Sequence, residues 1–178
     1  MLCVLRAFVM SLVVLAPVAM RAAGPDLTVT PIARDGLLLV SFELTDGMTE
    51  DVRDAIQSGL STTISYEIDV SRGSAWFDRT IASVTITASV RFDNLTRRYQ
   101  MSRTLDGRVE DVRPTESQED VRRWMTRFER IPVSATAALE ANGEYYVSVR
   151  ALSRPRVSWF VWPWDRGSVG NARFTFLP

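Results

Sequence analysis

Between Ser61 and Phe92 the side chains change polarity at almost every step, and no other property of the chain restricts its fold as much. Ile64, Tyr66, Ile68 and Val70 alternate with Ser65, Glu67, Asp69 and Ser71. After a turn at Arg72-Gly73-Ser74, residues Ala82, Val84, Ile86, Ala88, Val90 and Phe92 interleave with Ser83, Thr85, Thr87, Ser89 and Arg91. A two-residue period in Val, Ile, Thr and Tyr marks strands with one buried and one wet face, the antiparallel habit. The core is therefore a sheet.

The other segments extend that sheet. Residues 26–33 read as a first strand, with Pro31 placing it at an edge. The Arg34-Asp35-Gly36 turn leads into a second strand over 37–44, because Asp-Gly tolerates the positive φ of a tight hairpin. Thr49 is an N-cap candidate, and Val52, Ile56 and Leu60 recur on one face, which predicts a helix to about Gly59 or Leu60. A strand over 97–104 and a turn at Asp106-Gly107 precede another strand over 108–112 that Pro114 ends. Thr115-Glu116-Ser117-Gln118 has the spacing of a capping box. Behind it Val121, Trp124, Met125 and Phe128 form one stripe, predicting a second helix that stops before Pro132. Asn142-Gly143 turns into a strand with Tyr145, Val147, Val149 and Ala151 on one face, and residues 171–177 make the last strand, carrying Phe174 and Phe176. These elements predict a β-rich α+β fold, an antiparallel sheet or β-sandwich with two short amphipathic helices.

Length and composition agree with one domain: 178 residues, 46% apolar and 24% charged. All 21 basic residues are Arg, with neither Lys nor His, and Cys3 is the sole thiol. The complete Arg bias is most simply a property of a GC-rich coding sequence. Its chemical consequence is that the commonest general base and metal ligand, the Schiff-base amine and the P-loop ammonium are all missing. No cofactor, metal or catalytic residue is expected. Residues 1–23 read as a secretory signal peptide: Arg6 precedes the apolar run 7–16, which is short for a membrane span, and Ala22-Ala23-Gly24 offers small residues for cleavage. An uncleaved anchor is the alternative, because Arg21 and Met20 sit poorly for the likeliest cuts. Residues 24–178 then form a single β-rich domain in the periplasm or another extracytoplasmic space. Loss of Arg6 and Arg21 leaves 19 basic against 21 acidic residues, a balance that argues against nucleic acid.

The order Ser65-Tyr66-Glu67-Ile68, Trp76-Phe77-Asp78-Arg79, Leu95-Thr96-Arg97-Arg98-Tyr99, Tyr145-Tyr146-Val147 and a Trp-rich end resembles the bacterial DUF4390 family over nearly the whole mature chain. The resemblance implies a small, secreted, β-rich protein and supplies no catalytic residues. It also implies a gene neighbourhood near membrane sensor histidine kinases, hence an envelope role.

Three groups of residues are candidates for function. Arg154, Arg156, Trp159, Trp162 and Trp164 combine apolar area with bidentate donors, which suits a partner protein, another envelope component or a membrane surface. The plainer reading is a strand and turn whose alternate aromatics complete the sheet packing, although Pro155 and Pro163 confine it to an edge, where exposed rings need another explanation. Trp76 and Phe77 at the tip of the central hairpin form either a binding lip or a cross-strand aromatic cluster. Glu67 and Asp69, roughly 7 Å apart on one strand face, have the separation of a glycosidase acid and base, but polar residues on a wet face need no function. The expected function is thus an exported envelope binding or accessory module without catalytic activity, linked through the resemblance to a sensor-kinase system. A carboxylate-based hydrolase of a cell-wall polymer and a membrane-peripheral structural protein are the alternatives.

Overall fold

The computed structural model describes residues 26–73, 79–153 and 168–177. In chain order the elements are β1 (Leu27–Arg34), β2 (Leu37–Leu44), α1 (Glu50–Gln57), β3 (Thr62–Arg72), β4 (Arg79–Asp93), β5 (Arg98–Leu105), β6 (Arg108–Thr115), α2 (Gln118–Thr126), β7 (Arg127–Ala135), a 3-10 turn (Thr136–Ala138), β8 (Glu144–Ser153) and β9 (Val169–Thr175). They form two antiparallel sheets, one ordered β1-β2-β7 and the other β6-β5-β4-β3-β8-β9. The fold is α+β and β-rich, as the alternation predicts.

The central hairpin pairs Ile64 with Ala88, Tyr66 with Ile86 and Ile68 with Val84. One face of it is buried, and so are Tyr145, Val147, Val149 and Ala151 of β8 on the same side. Against this face lie Leu38, Val40, Phe42 and Leu44 of β2, together with Val52 and Ile56 of α1 and Val121, Trp124 and Met125 of α2. Phe42, Tyr66 and Phe128 form an aromatic knot between the sheets, with ring centroids 4.7 to 5.0 Å apart. Such pairs add to the free energy of the area they bury.

Turn chemistry sets the register. Asp35-Gly36 and Asp106-Gly107 both take positive φ at two successive residues, the geometry whose twist matches a tight hairpin. Between β4 and β5 the Asp93 carboxylate accepts from the amides of Leu95 and Thr96, and these bonds, Thr96 first, hold it below the usual carboxylate range. Pro31 does mark an edge strand, since β1 borders the smaller sheet.

Several boundaries differ from the sequence expectation. The first helix ends at Gln57, because Gly59 adopts φ 87 and the Leu60 amide turns back to the Ala55 carbonyl. The N-cap of α2 is Ser117, not Thr115: Ser117 Oγ accepts from the Asp120 amide at 3.2 Å, while Thr115 Oγ1 accepts from the Ser117 amide and donates to Asp120. Pro114 lies inside β6, which tolerates it as the outermost strand of its sheet. The largest correction is that α2 stops at Thr126, so Phe128 and Pro132 belong to β7, the third strand of the smaller sheet. Arg130, at φ 52, makes a bulge there that sets two residues of β7, Glu129 and Arg130, against one of β2, Ser41, between the pairs Val40–Ile131 and Phe42–Phe128. The bulge changes the parity of the strand, which is how Phe128 and Val133 are both buried. The final strand begins two residues earlier than expected, and Phe176 lies beyond it.

Candidate functional site

The binding residues singled out in the sequence, Trp76, Phe77, Arg154, Arg156, Trp159, Trp162 and Trp164, all lie outside the described residues, as does the segment 1–23. Glu67 and Asp69 are placed on the outer face of the larger sheet. Glu67 pairs with Arg150 of β8 at 3.5 Å, and Asp69 accepts from Ser83 of β4 at 2.7 Å. Hydroxyls occupy the rest of that face around them, with Thr63 bonded to Ser89 and Ser65 to Thr87. This is the ordinary cross-strand pairing of a wet sheet surface.

A concavity lies elsewhere, at the mouth of the sandwich where β5 and β6 overhang the smaller sheet. It is an open groove of about 600 Å³, and its walls include Arg103, Arg113, Arg123, Arg127 and Trp124, with Asp120 and Glu129 the two carboxylates. Strand parity explains the first two arginines. Tyr99, Met101 and Arg103 alternate onto the inner face of β5, and Arg113 lies opposite Met101 on β6, so both guanidinium groups point toward α2. Trp124 comes from the buried stripe of α2, and its indole N–H donates to the Ser102 carbonyl at 3.4 Å.

Arg103 is the centre of this arrangement. Its guanidinium carbon lies 4.3 Å from the Trp124 ring centroid and 4.2 Å from that of Phe128, within cation–π range of both. Its Nη2 donates to the carbonyls of Trp124 at 2.5 Å and Arg127 at 2.8 Å, satisfying backbone acceptors that the end of α2 leaves open. A cation at a helix C-terminus is also favoured by the dipole. Burial, and then the charge of Arg113, bring its pKa down to about 10. Its Nε is buried and has no hydrogen-bond partner among the described residues.

The other cations of the mouth are each matched to a carboxylate. Arg113 pairs with Asp111, Arg123 with Asp120 at 2.6 Å, and Arg127 with Glu129 at 3.0 Å. Arg103 has backbone partners and aromatic faces but forms no ion pair with a carboxylate among the described residues. The sequence contained a signal for it: a charged residue stands where Tyr99, Met101 and Leu105 mark the buried face of a strand. A smaller hollow of about 150 Å³ lies between the helices, lined by Met48, Ile56, Tyr99 and Val121 with Arg53 and Arg122 at its rim. Among the described residues there is no cluster of metal-ligating side chains, and no helix is long and apolar enough to cross a membrane.

Fold and site together define a two-sheet, β-rich module with a groove lined by arginine and tryptophan. The chain belongs to the DUF4390 family, a domain of unknown function whose model matches residues 26–155. No curated protein and no solved structure matches it.

Proposed function

We propose that this chain is an exported accessory module of the cell envelope, which works by holding a partner and carries out no chemistry of its own. The observation that carries this reading is the furnishing of the mouth. It is rich in hydrogen-bond donors and aromatic surface, and the reactive groups around it are already engaged: the Thr115 hydroxyl with Ser117 and Asp120, and both lining carboxylates with arginines. Recognition needs fixed donors and rigid rings, whereas acid–base or nucleophilic catalysis needs a titrating group within reach of a reacting atom. The absence of Lys and His from the whole sequence supports the same reading. Export rests on the apolar run after Arg6, and a link to a sensor-kinase system rests on the family resemblance.

The test is a pull-down from envelope extract with the wild-type protein, a groove variant (Arg113→Gln with Arg127→Gln) and an aromatic-segment variant (Trp162→Ala with Trp164→Ala). A partner retained by the wild type and lost in either variant supports a holding role and tells which surface is used. Hydrolysis of a cell-wall polymer by the purified protein, abolished by Glu67→Gln, overturns it in favour of the carboxylate hydrolase.

A further inference from the structure

We infer that the mouth between β5, β6 and α2 is a binding site for one carboxylate group, received by Arg103 with Arg113 at its side. The inference rests on the holding role proposed above and names the chemistry of what is held.

Charge matching sets the number of anions. Among the described residues, three of the four arginines that line the mouth are paired, Arg113 with Asp111, Arg123 with Asp120 and Glu119 (the latter shared with Arg122), and Arg127 with Glu129, and Arg103 is the one left over. One incoming carboxylate completes the pairing. A phosphate, which carries nearly two charges at neutral pH, exceeds it and meets repulsion from Asp120 and Glu129.

Geometry sets the place. The Arg103 guanidinium is immobilised before any ligand arrives, by two backbone carbonyls and two aromatic rings. Ordering the side chain, ordinarily a large part of the cost of using an arginine, is therefore largely met during folding. Arg113 lies 4.8 Å from the same indole centroid, so two guanidinium groups converge on Trp124. Arg113 is 59% exposed and can turn from Asp111 toward a ligand at small cost, since exposed ion pairs are weak. Half-burial of Arg103 strengthens any charge-assisted bond made to it.

The carboxylate could belong to a small molecule or to an acidic side chain of a protein, and the experiment separates the two. The Nε–H resonances of Arg103 and Arg113 are followed by NMR in the full-length protein while glutarate, a hexaglutamate peptide or inorganic phosphate is titrated in. Shifts of both resonances with glutarate support the site and identify a small acid as sufficient; shifts with the peptide alone support it and identify a protein source. Arg113→Gln, exposed enough to leave the fold intact, weakens the interaction about tenfold, while Arg53→Gln in the separate hollow leaves it unchanged. No shift with either carboxylate, or an equal response to phosphate, overturns the inference. If that happens while the pull-down partner survives the groove substitutions, the holding role stands and its surface lies elsewhere.

Discussion

Single side chains carry some of the tightest constraints in this protein. Gly170 of β9 faces β1 so closely that a Cβ would fall inside the contact radius of the Leu27 carbonyl oxygen and 2.5 Å from Leu27 Cδ2. Backbone cannot move aside as a flexible side chain can, so Gly170→Ala is expected to cost at least about 2 kcal/mol in chemical denaturation, at the upper end of overpacking penalties. Arg130 presents the converse case. It holds a left-handed backbone at the β7 bulge, where a non-glycine residue costs about 1 kcal/mol or more. Arg130→Gly is expected to raise the denaturation midpoint by the equivalent of about 0.5 kcal/mol after the added entropy of the unfolded chain is subtracted. The same change at Arg127, in extended backbone, should lower it. Neither position was legible in the sequence, because a close approach between the first and last strands is a tertiary fact and Arg is not a residue that advertises a bulge. Arg103 was closer to legible, as a charge on the buried side of an otherwise apolar alternation.

At the scale of elements, β3, β4 and β8 could be read almost residue by residue, since their period of two persists for ten residues or so and admits one register for burial. The region from Thr115 to Ala135 could not. Val121, Trp124, Met125 and Phe128 satisfy a helical stripe, yet Phe128 reaches the core from a strand, because α2 is closed at Thr126 by donors from distant parts of the chain. Tyr66 Oη donates to the Met125 carbonyl at 2.7 Å, and Arg103 serves the Trp124 carbonyl. No local motif encodes such a stop. The start of α2 is local, and Ser117→Ala is expected to destabilise by about 1 kcal/mol through loss of the side-chain cap. Thr115→Ala, which removes two bonds that support the cap but leaves the cap itself, should cost less in the same urea titration.

Across the whole molecule, the two sheets are joined by apolar packing and by the Arg103 bond to the Arg127 carbonyl, and one buried phenol, Tyr66, ties the larger sheet to the end of α2. Burial drives the Tyr66 pKa well above the ordinary tyrosine value, with Arg103 opposing the shift. A group raised in this way contributes stability in full below its unfolded pKa near 10, and loses it as pH climbs further. Arg103 acts in the opposite sense above pH 10, since the folded chain releases that proton first. Comparison with Tyr66→Phe isolates the phenol: the variant should be less stable by about 1–2 kcal/mol at neutral pH, having left the Met125 carbonyl without its donor, and the gap should close by about pH 11. Urea midpoints at the two pH values measure it. The fold class was legible at this scale because alternation alone specifies a two-faced sheet. The division into a six-stranded and a three-stranded layer was not, as it depends on β7, whose first half sequence patterning assigned to a helix and whose second half it left unassigned.

The contact of Gly170 with Leu27 also bears on how the chain comes together. The earliest and latest strands of the described chain share a seam, so the structure cannot be completed until its closing residues are present, whatever has formed beforehand. A polypeptide threaded through a membrane from its front end would emerge with that seam still open and would shut it last, on the far side.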